Sequence, residues 1–191
     1  MLHHAVFLDR DGTINYDTGY VKNPDDIKIL DGVSEGIRKL KRDFGFKIVV
    51  ISNQAGVAKG LMTIEDVEAV NSRIDFLLKK EQAEIDRFYY CPYHPLFSSE
   101  DEAMCRKPSP QMLFKAAEDM NLDLSRSYMM GDRESDVVCG LNAGVKSILL
   151  KSDIYDAELS ALQNQNKKPN FVAANFKEAC DYILKDFGGS N

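Results

Sequence analysis

The sequence predicts an α/β protein, a Rossmann-like three-layer sandwich whose mostly parallel sheet is covered by helices on both faces. Short apolar runs rich in β-branched residues alternate with amphipathic helical patterns along the 191 residues. Polar residues follow at once where three of these runs end. Because 44% of the residues are hydrophobic, one core suffices for a chain of this length. We expect a single domain over residues 1–187 with a short loop insert at about 91–107, followed by a frayed tail at 188–191.

The predicted strands are short and apolar, which is typical of strands buried on both faces. They span residues 5–8, 46–51, 87–90, 127–130 and 145–150, with a short edge strand at 171–172. Helical spacing of apolar residues predicts helices over 32–44, 63–81, 109–120, a segment ending at 143, and a last one opened by the Asn175–Glu178 capping box. Residues 14–31 and 91–107 predict loops, and 152–170 are polar without a clear pattern.

The charge balance excludes some classes of partner. Lysines and arginines number 24 against 30 acidic residues, so the net charge is −6, which disfavours a general nucleic-acid surface. No apolar run is long enough for a membrane span, and the N-terminus lacks a signal-peptide pattern. We therefore expect a cytoplasmic, monomeric protein with a small-molecule partner and with no nucleic-acid or membrane partner.

The stretch Asp9-Arg10-Asp11-Gly12-Thr13 follows the first predicted strand directly. Ligands in open α/β sheets bind where the strands reach their carboxyl ends. Two carboxylates there could hold a divalent cation, or one could attack an electrophile while the other moves a proton. A solvated Asp-Gly turn is the alternative explanation.

Three separate segments are predicted to meet at that edge of the sheet. Asp9, Ser52 and Asp132 each stand at or just after the end of a predicted strand. Asp132 and Asp136 lie four residues apart at a helix start, where acidic residues are also favoured by the helix dipole alone. Their convergence with Asp9 makes a shared cation the better interpretation. Lys107-Pro108 precedes another predicted helix, and taken alone it does not indicate a functional site, because most lysines are solvated.

Taken together, these residues resemble the haloacid dehalogenase superfamily of phosphohydrolases. The four sequence blocks of that superfamily occur in order and span nearly the whole chain. They are Asp9 to Thr13, Ser52-Asn53, Lys107-Pro108 and Gly131 to Asp136. The resemblance implies the haloacid dehalogenase-like fold, here with no separate cap domain.

The resemblance also implies a role for each residue of the motifs. Asp9 would attack phosphorus, and Asp11 would protonate the leaving group and later activate water. Ser52 and Lys107 would hold the transferring phosphoryl oxygens. Mg²⁺ would lie between Asp9, Asp132 and the backbone carbonyl of Asp11, because an anionic nucleophile is otherwise repelled by a phosphate dianion.

Two further charged residues of these motifs receive no catalytic role. We expect Asp136 to orient the loop that carries it. Arg10 is expected to pair with nearby carboxylates.

Loops at 15–21, 53–60 and 105–108 resemble the heptose-bisphosphate phosphatase subfamily. This implies removal of the 7-phosphate in the synthesis of nucleotide-activated heptose for lipopolysaccharide. A histidinol-phosphate phosphatase and a non-catalytic phosphate-binding protein remain alternatives. The partner would be a small-molecule sugar phosphate substrate. It would contact Asp17, Thr18, Gly19, Tyr20, Asn53, Gln54, Ala55, Arg106 and Arg133, with the two arginines holding the second phosphate.

The cysteines bear on a second metal. In a cytoplasmic chain we expect free thiols or metal ligands rather than disulfides, and Cys139 and Cys180 should pack as small apolar groups. Zinc-bearing members of the family supply four ligands in the 91–107 region. Here only Cys91 and Cys105 occupy ligand positions, with His94 one place late. We therefore predict no structural zinc.

Overall fold

The computed structural model describes residues 2–189 and contains a six-stranded sheet in which every pairing is parallel. The strands are β1 (Ala5–Leu8), β2 (Lys47–Asn53), β3 (Arg87–Cys91), β4 (Tyr128–Gly131), β5 (Lys146–Leu150) and β6 (Phe171–Ala173). Their order is β3-β2-β1-β4-β5-β6. The strand order therefore reverses at β1, which is the kind of position where α/β sheets open a ligand crevice.

Helices connect the strands and cover both faces of the sheet. They are α1 (Val33–Phe44), α2 (Ile64–Lys80), α3 (Glu100–Ala103), α4 (Gln111–Met120), α5 (Glu134–Ala143), α6 (Tyr155–Asn164) and α7 (Phe176–Gly188). Thr63 forms a capping box at the start of α2, and Asn175 caps α7 by accepting from the Glu178 amide. Among residues 2–189, every helix is too short or too polar to span a lipid bilayer.

Alternate residues of β1 feed two separate cores, which is why the fold has three layers. Val6 and Leu8 belong to the larger apolar cluster, which includes residues from α1, α2 and α7. Ala5 and Phe7 belong to a second cluster, which includes residues from α4 and α5. All four side chains are fully buried. The predicted three-layer α/β architecture is confirmed.

The differences from the predicted elements lie in the polar segments. Helix α6 forms where no element was predicted. It buries only Leu162 fully, so its sequence lacks the apolar stripe that would have indicated a helix. Helix α3 is a single short turn inside the predicted 91–107 loop. Helix α4 begins at Gln111 rather than at residue 109, with Pro110 at the N-cap position and no capping hydrogen bond from its side chain. The predicted frayed tail begins at Gly188, which instead ends α7, and residues 190–191 lie outside the described part of the chain.

The predicted chemistry of the cysteines is half right. Cys139 and Cys180 are buried thiols within the two cores, as expected. Cys91 and Cys105, however, form a disulfide, so the prediction of free thiols or metal ligands is wrong for this pair. Asn53 explains the proximity, because its backbone pairs with Cys91 while its side chain holds the backbone two residues beyond Cys105.

Candidate active site

The carboxyl ends of β1, β2 and β4 border a cavity of about 400 Å³. Asp9, Asp11, Ser52 and Lys107 all line it, although they come from three distant segments of the chain. The other lining residues are Asp17, Gly19, Tyr20, Asn53, Gln54, Ala55, Gly56, Lys59, His94, Arg106, Arg133, Ser135 and Asp136. The predicted substrate residue Thr18 is exposed and does not line the cavity.

Asp9 stands directly after β1, and its amide donates to the carbonyl of Met130, which anchors it beside β4. Its carboxylate is almost fully buried, and Oδ1 lies 2.6 Å from Lys107 Nζ. Burial raises the pKa of Asp9 to about 7, against the opposing effect of Lys107 and with a further upward contribution from Asp136. Asp9 therefore needs additional positive charge nearby to be fully ionised at neutral pH.

Lys107 is the central cation of the site. Its Nζ lies 2.6 Å from oxygens of both Asp9 and Asp136 and donates to the carbonyl of Ile51 at 2.7 Å. Burial alone would lower the pKa of Lys107, but the two carboxylates raise it above its ordinary value, so the side chain remains an ammonium. Asn53 fixes the backbone of Lys107 by accepting from its N–H at 2.9 Å and donating to its carbonyl at 3.1 Å.

Asp11 is held in a different way, by a network of neutral and charged donors. Arg10 Nη2 donates to its Oδ2 at 2.8 Å, Asn15 Nδ2 to its Oδ1 at 2.9 Å, and Gln54 Nε2 to its Oδ2 at 3.0 Å. Gln54 also donates to Ser52 Oγ at 2.6 Å. These contacts fix the orientation of the Asp11 carboxylate at the cavity wall, where it can exchange a proton with a bound group.

Arg10 is the largest fully buried side chain in the described part of the protein. Besides pairing with Asp11, it donates to Gln54 Oε1 at 3.0 Å and to Asn71 Oδ1, on α2, at 3.2 Å. The predicted role as a partner of nearby carboxylates is thus observed for Asp11. The extent of its burial was not predicted, because the helical pattern of α2 gave no sign that Asn71 faces inward.

Asp132 and Asp136 follow β4 and face the same point as Asp9. One oxygen from each of the three carboxylates lies within 4.8 Å of the others, and this is the only such group of potential metal ligands among residues 2–189. Asp136 also accepts from the Arg133 amide at 3.1 Å, which fits the predicted loop-orienting role. The grouping of Asp136 with Asp9 and Asp132 is the one expected from the sequence for a shared cation, whereas its pairing with Lys107 was not predicted.

The cluster suits a divalent cation. Asp132 is 3% exposed, and its Oδ1 has no hydrogen-bond partner among the described residues. Burial, reinforced by the charge of Asp136, raises the pKa of Asp132 to about 6. A hard cation would satisfy the unpaired oxygen and offset the crowding of negative charge. The side chain of Asp11 points into its own network, so only its backbone carbonyl, the group named from the sequence, is left as a ligand from that residue.

Gly12 shows how closely the first loop approaches this cluster. Its φ is 82°, and a Cβ placed on it would lie 2.5 Å from Oδ2 of Asp132. Only glycine tolerates both the left-handed backbone and this contact. The Asp-Gly step is therefore part of the site and not a solvated turn.

Arg133 and Asp17 form an exposed ion pair at the cavity mouth, with Arg133 Nη2 3.0 Å from Asp17 Oδ2. Arg106 follows the disulfide-bonded Cys105 directly in the sequence. It is half-buried, and its Nη1 has no hydrogen-bond partner among the described residues. The two arginines predicted to act together thus differ, because only Arg133 carries a carboxylate partner.

Comparison with known proteins agrees with this geometry. A family model described as HAD-hydrolase-like matches residues 104–179. A protein from Chlorobaculum tepidum named D-glycero-D-manno-heptose-1,7-bisphosphate 7-phosphatase is 40% identical over 190 residues, which covers 94% of each chain. Its Escherichia coli K12 counterpart, named for the β-anomer, is 41% identical over 149 residues, 76% of this chain and 78% of the relative.

Solved structures give the same result. The D,D-heptose 1,7-bisphosphate phosphatase from B. bronchiseptica, complexed with magnesium and phosphate, is 26% identical with a TM-score of 0.84, covering 96% of this chain and 99% of its own. With its parallel sheet, its aspartate pair after β1 and these relatives, the chain belongs to the haloacid dehalogenase-like hydrolases. The relatives named above all carry the name of one phosphatase, the one that acts on heptose 1,7-bisphosphate.

Proposed function

We propose that this chain is a magnesium-dependent phosphatase that removes the 7-phosphate of D-glycero-D-manno-heptose 1,7-bisphosphate. The observation that carries the proposal is the convergence of Asp9, Ser52 and Lys107 on one cavity, with Asp132 beside Asp9. Relatives that share about 40% of the sequence bear the name of this enzyme. The reaction belongs to the synthesis of nucleotide-activated heptose.

Asp9 is the nucleophile in this proposal. Its Oδ1 is held by Lys107 at 2.6 Å, so its other oxygen, Oδ2, attacks phosphorus. The bond between phosphorus and the C7 oxygen breaks, and the phosphoryl group is transferred to Asp9. Ser52 and Lys107 bind the phosphoryl oxygens, where negative charge is concentrated in the transition state.

Asp11 moves the proton at both stages. It gives a proton to the departing C7 oxygen, and in the second stage it accepts one from the water that attacks the phosphorylated Asp9. Inorganic phosphate then leaves and Asp9 is restored. The donors from Arg10, Asn15 and Gln54 hold the Asp11 carboxylate in one orientation for both transfers.

Magnesium would be held by Asp9, Asp132 and the backbone carbonyl of Asp11, and when bound it would neutralise charge shared by the nucleophile and the phosphate. The donor set fits this cation. The Oδ1 atom of Asp132 has no hydrogen-bond partner among the described residues, and a nearby positive charge would lower the raised pKa of Asp9. Asp136 remains paired with Lys107 and accepts from the Arg133 amide, so it positions these two residues.

The proposal is tested by incubating the purified protein and Mg²⁺ with both anomers of heptose 1,7-bisphosphate. We expect ³¹P NMR to show loss of the C7 phosphate with the C1 phosphate retained. Asp9→Asn should abolish release while circular dichroism remains unchanged, and the exposed Asp26→Asn serves as the matched control. Faster turnover of histidinol phosphate would contradict the substrate, and failure to hydrolyse any phosphate ester would contradict the activity.

We also propose that the enzyme acts as a monomer in the cytoplasm. Sedimentation velocity tests the first statement. The Cys91–Cys105 disulfide argues against the second statement, because disulfides are rare in reducing compartments such as the cytoplasm. Thiol titration of protein rapidly extracted from the cytoplasm under denaturing conditions would show whether this pair is reduced there.

A further inference from the structure

A second cavity, of about 580 Å³, lies beyond the carboxyl ends of β4, β5 and β6. Lys151 and Ala174, the residues directly after β5 and β6, are among those that line it. It shares only two lining residues, Asp17 and Arg133, with the active-site cavity. These two form an ion pair at 3.0 Å, so the pair stands at the boundary between the two cavities.

The cluster of three carboxylates is in contact with both cavities. Asp9 and Asp136 line the active-site cavity, whereas Asp132 lines the second one. One oxygen from each of these residues lies within 4.8 Å of the others. A cation held by the cluster could therefore be reached from two different sides.

The second cavity is lined by buried polar atoms that lack a partner. Thr13 Oγ1, Asp132 Oδ1 and Ser152 Oγ make no hydrogen bond to any described residue, and all three residues line this cavity. Thr13 is fully buried, and Asp132 is 3% exposed. Because unpaired buried polar groups are costly, these atoms indicate a polar occupant on their side of the cluster. Hydroxyl and carboxylate oxygens can bind the water molecules of a hydrated cation.

The charge of the second cavity favours a cation. Four carboxylates line it against two basic side chains, whereas in the active-site cavity acidic and basic residues are equal in number when histidine is counted as neutral. Asp31 and Asp153 make no ion pair within residues 2–189. The ammonium of Lys151 lies 5.3 Å from the centre of the ring of Tyr155, a residue that does not line the cavity. Such an excess of negative charge attracts cations and repels phosphates.

On these grounds we propose that the second cavity is the passage by which a hydrated divalent cation reaches Asp9, Asp132 and Asp136. The phosphate ester enters through the active-site cavity, so the two species of opposite charge have separate routes. The cation can then exchange while the active-site cavity holds the sugar phosphate. This inference rests on the magnesium dependence of the proposed function and does not depend on which sugar phosphate is the substrate.

The test measures the rates of metal binding, with Mn²⁺ as the probe because it takes the same oxygen ligands as Mg²⁺. The EPR signal of free Mn²⁺ gives Kd. Stopped-flow mixing of the loaded protein with an excess of a fluorescent chelator gives the release rate constant, which divided by Kd gives the association rate constant.

Ser152→Phe places a large side chain in the proposed passage. Both rate constants should fall by about tenfold or more while Kd changes little, because an obstruction raises the same barrier from both sides. Ser152→Ala, which removes the hydroxyl without filling the cavity, should affect the rates less. The matched control is Ser160→Phe, which adds the same side chain at an exposed position of α6 outside the cavity and should keep the wild-type rates.

A second variant tests the charge of the passage without filling it. Replacing both Asp31 and Asp153 by asparagine should lower the association rate constant by about threefold at low ionic strength, and the difference should vanish at high ionic strength. The exposed Asp26→Asn, outside the cavity, is the control and should change neither rate constant.

Wild-type rate constants in Ser152→Phe would overturn the inference while leaving the proposed function intact. If that variant does not fold, a wild-type association rate constant for the double asparagine variant at low ionic strength would overturn it. A weaker Kd with an unchanged association rate constant would also overturn it, because the cavity would then belong to the metal site and not to a route. Failure of the wild type to bind Mn²⁺ would contradict the passage and the magnesium dependence together.

Discussion

Replacing Asp132 by asparagine should stabilise the metal-free protein while removing its response to magnesium. Asp132 is almost completely buried, and burial together with Asp136 raises its pKa from 3.8 to about 6. The folded protein therefore binds a proton at this carboxylate more tightly than the unfolded chain does. Stability contributed by that proton is present below pH 4 and is lost as the pH rises through about 6.

The size of the effect follows from the two pKa values. Their difference corresponds to ~3 kcal/mol of the free energy of unfolding above pH 6, since one pKa unit is worth about 1.36 kcal/mol. Asn has nearly the same shape as Asp but cannot ionise, so Asp132→Asn removes this cost. For a chain of this length we expect Tm at pH 8 to rise by about 6–12 °C.

The assay is thermal unfolding followed by circular dichroism in EDTA, at pH 8 and at pH 4, with the exposed Asp26→Asn as control. The two variants should differ at pH 8 and converge at pH 4. Added Mg²⁺ should raise the Tm of the wild type at pH 8 but not that of Asp132→Asn. An Asp132→Asn protein that melts at or below the wild-type temperature in EDTA at pH 8 would refute the electrostatic reasoning.

Three other perturbations follow from the same site and its supports. Replacing both Cys91 and Cys105 by serine removes a disulfide that joins residues 14 apart in the sequence. The free energy of unfolding, measured by urea denaturation, should fall by about 3 kcal/mol. As a control, reduction of the disulfide in the wild type should lower its free energy of unfolding by the same amount. Gly12→Ala should abolish phosphate release, because its Cβ would lie 2.5 Å from Asp132 Oδ2, and full activity would contradict that contact. Arg10→Met should cost about 3 kcal/mol by leaving the neighbouring carboxylate without its buried partner, and urea midpoints equal to wild type would show that the ion pair contributes nothing.

The sequence was sufficient where function depends on strand ends. Asp9, Ser52 and Asp132 could be placed at one edge because each follows or ends an apolar run, and parallel strands bring such positions together. Lys107 was different, since no local periodicity locates a residue in a long loop. Its position near Asp9 was predicted only from the family motif. In the structure, two hydrogen bonds from the Asn53 side chain hold the backbone of Lys107 in that position.

What the sequence did not reveal depends on contacts between distant polar residues. The pairing of Lys107 with Asp136 and the inward position of Asn71 leave no signature in hydrophobic periodicity. The disulfide was missed because the expected compartment argued against it. Helix α6 was missed for a related reason, since a mostly exposed helix resembles a loop in composition.

The buried guanidinium of Arg10 has a consequence for redesign of the enzyme. It joins Asp11, the proposed acid–base group, to Gln54 and to Asn71 on α2. No residue of α2 lines the cavity, so that helix would be an obvious place to introduce changes when altering surface properties. A change at Asn71 would nevertheless remove a hydrogen bond that holds Arg10 against Asp11, the residue proposed to transfer the proton. A remodelled α2 should therefore keep this amide in place.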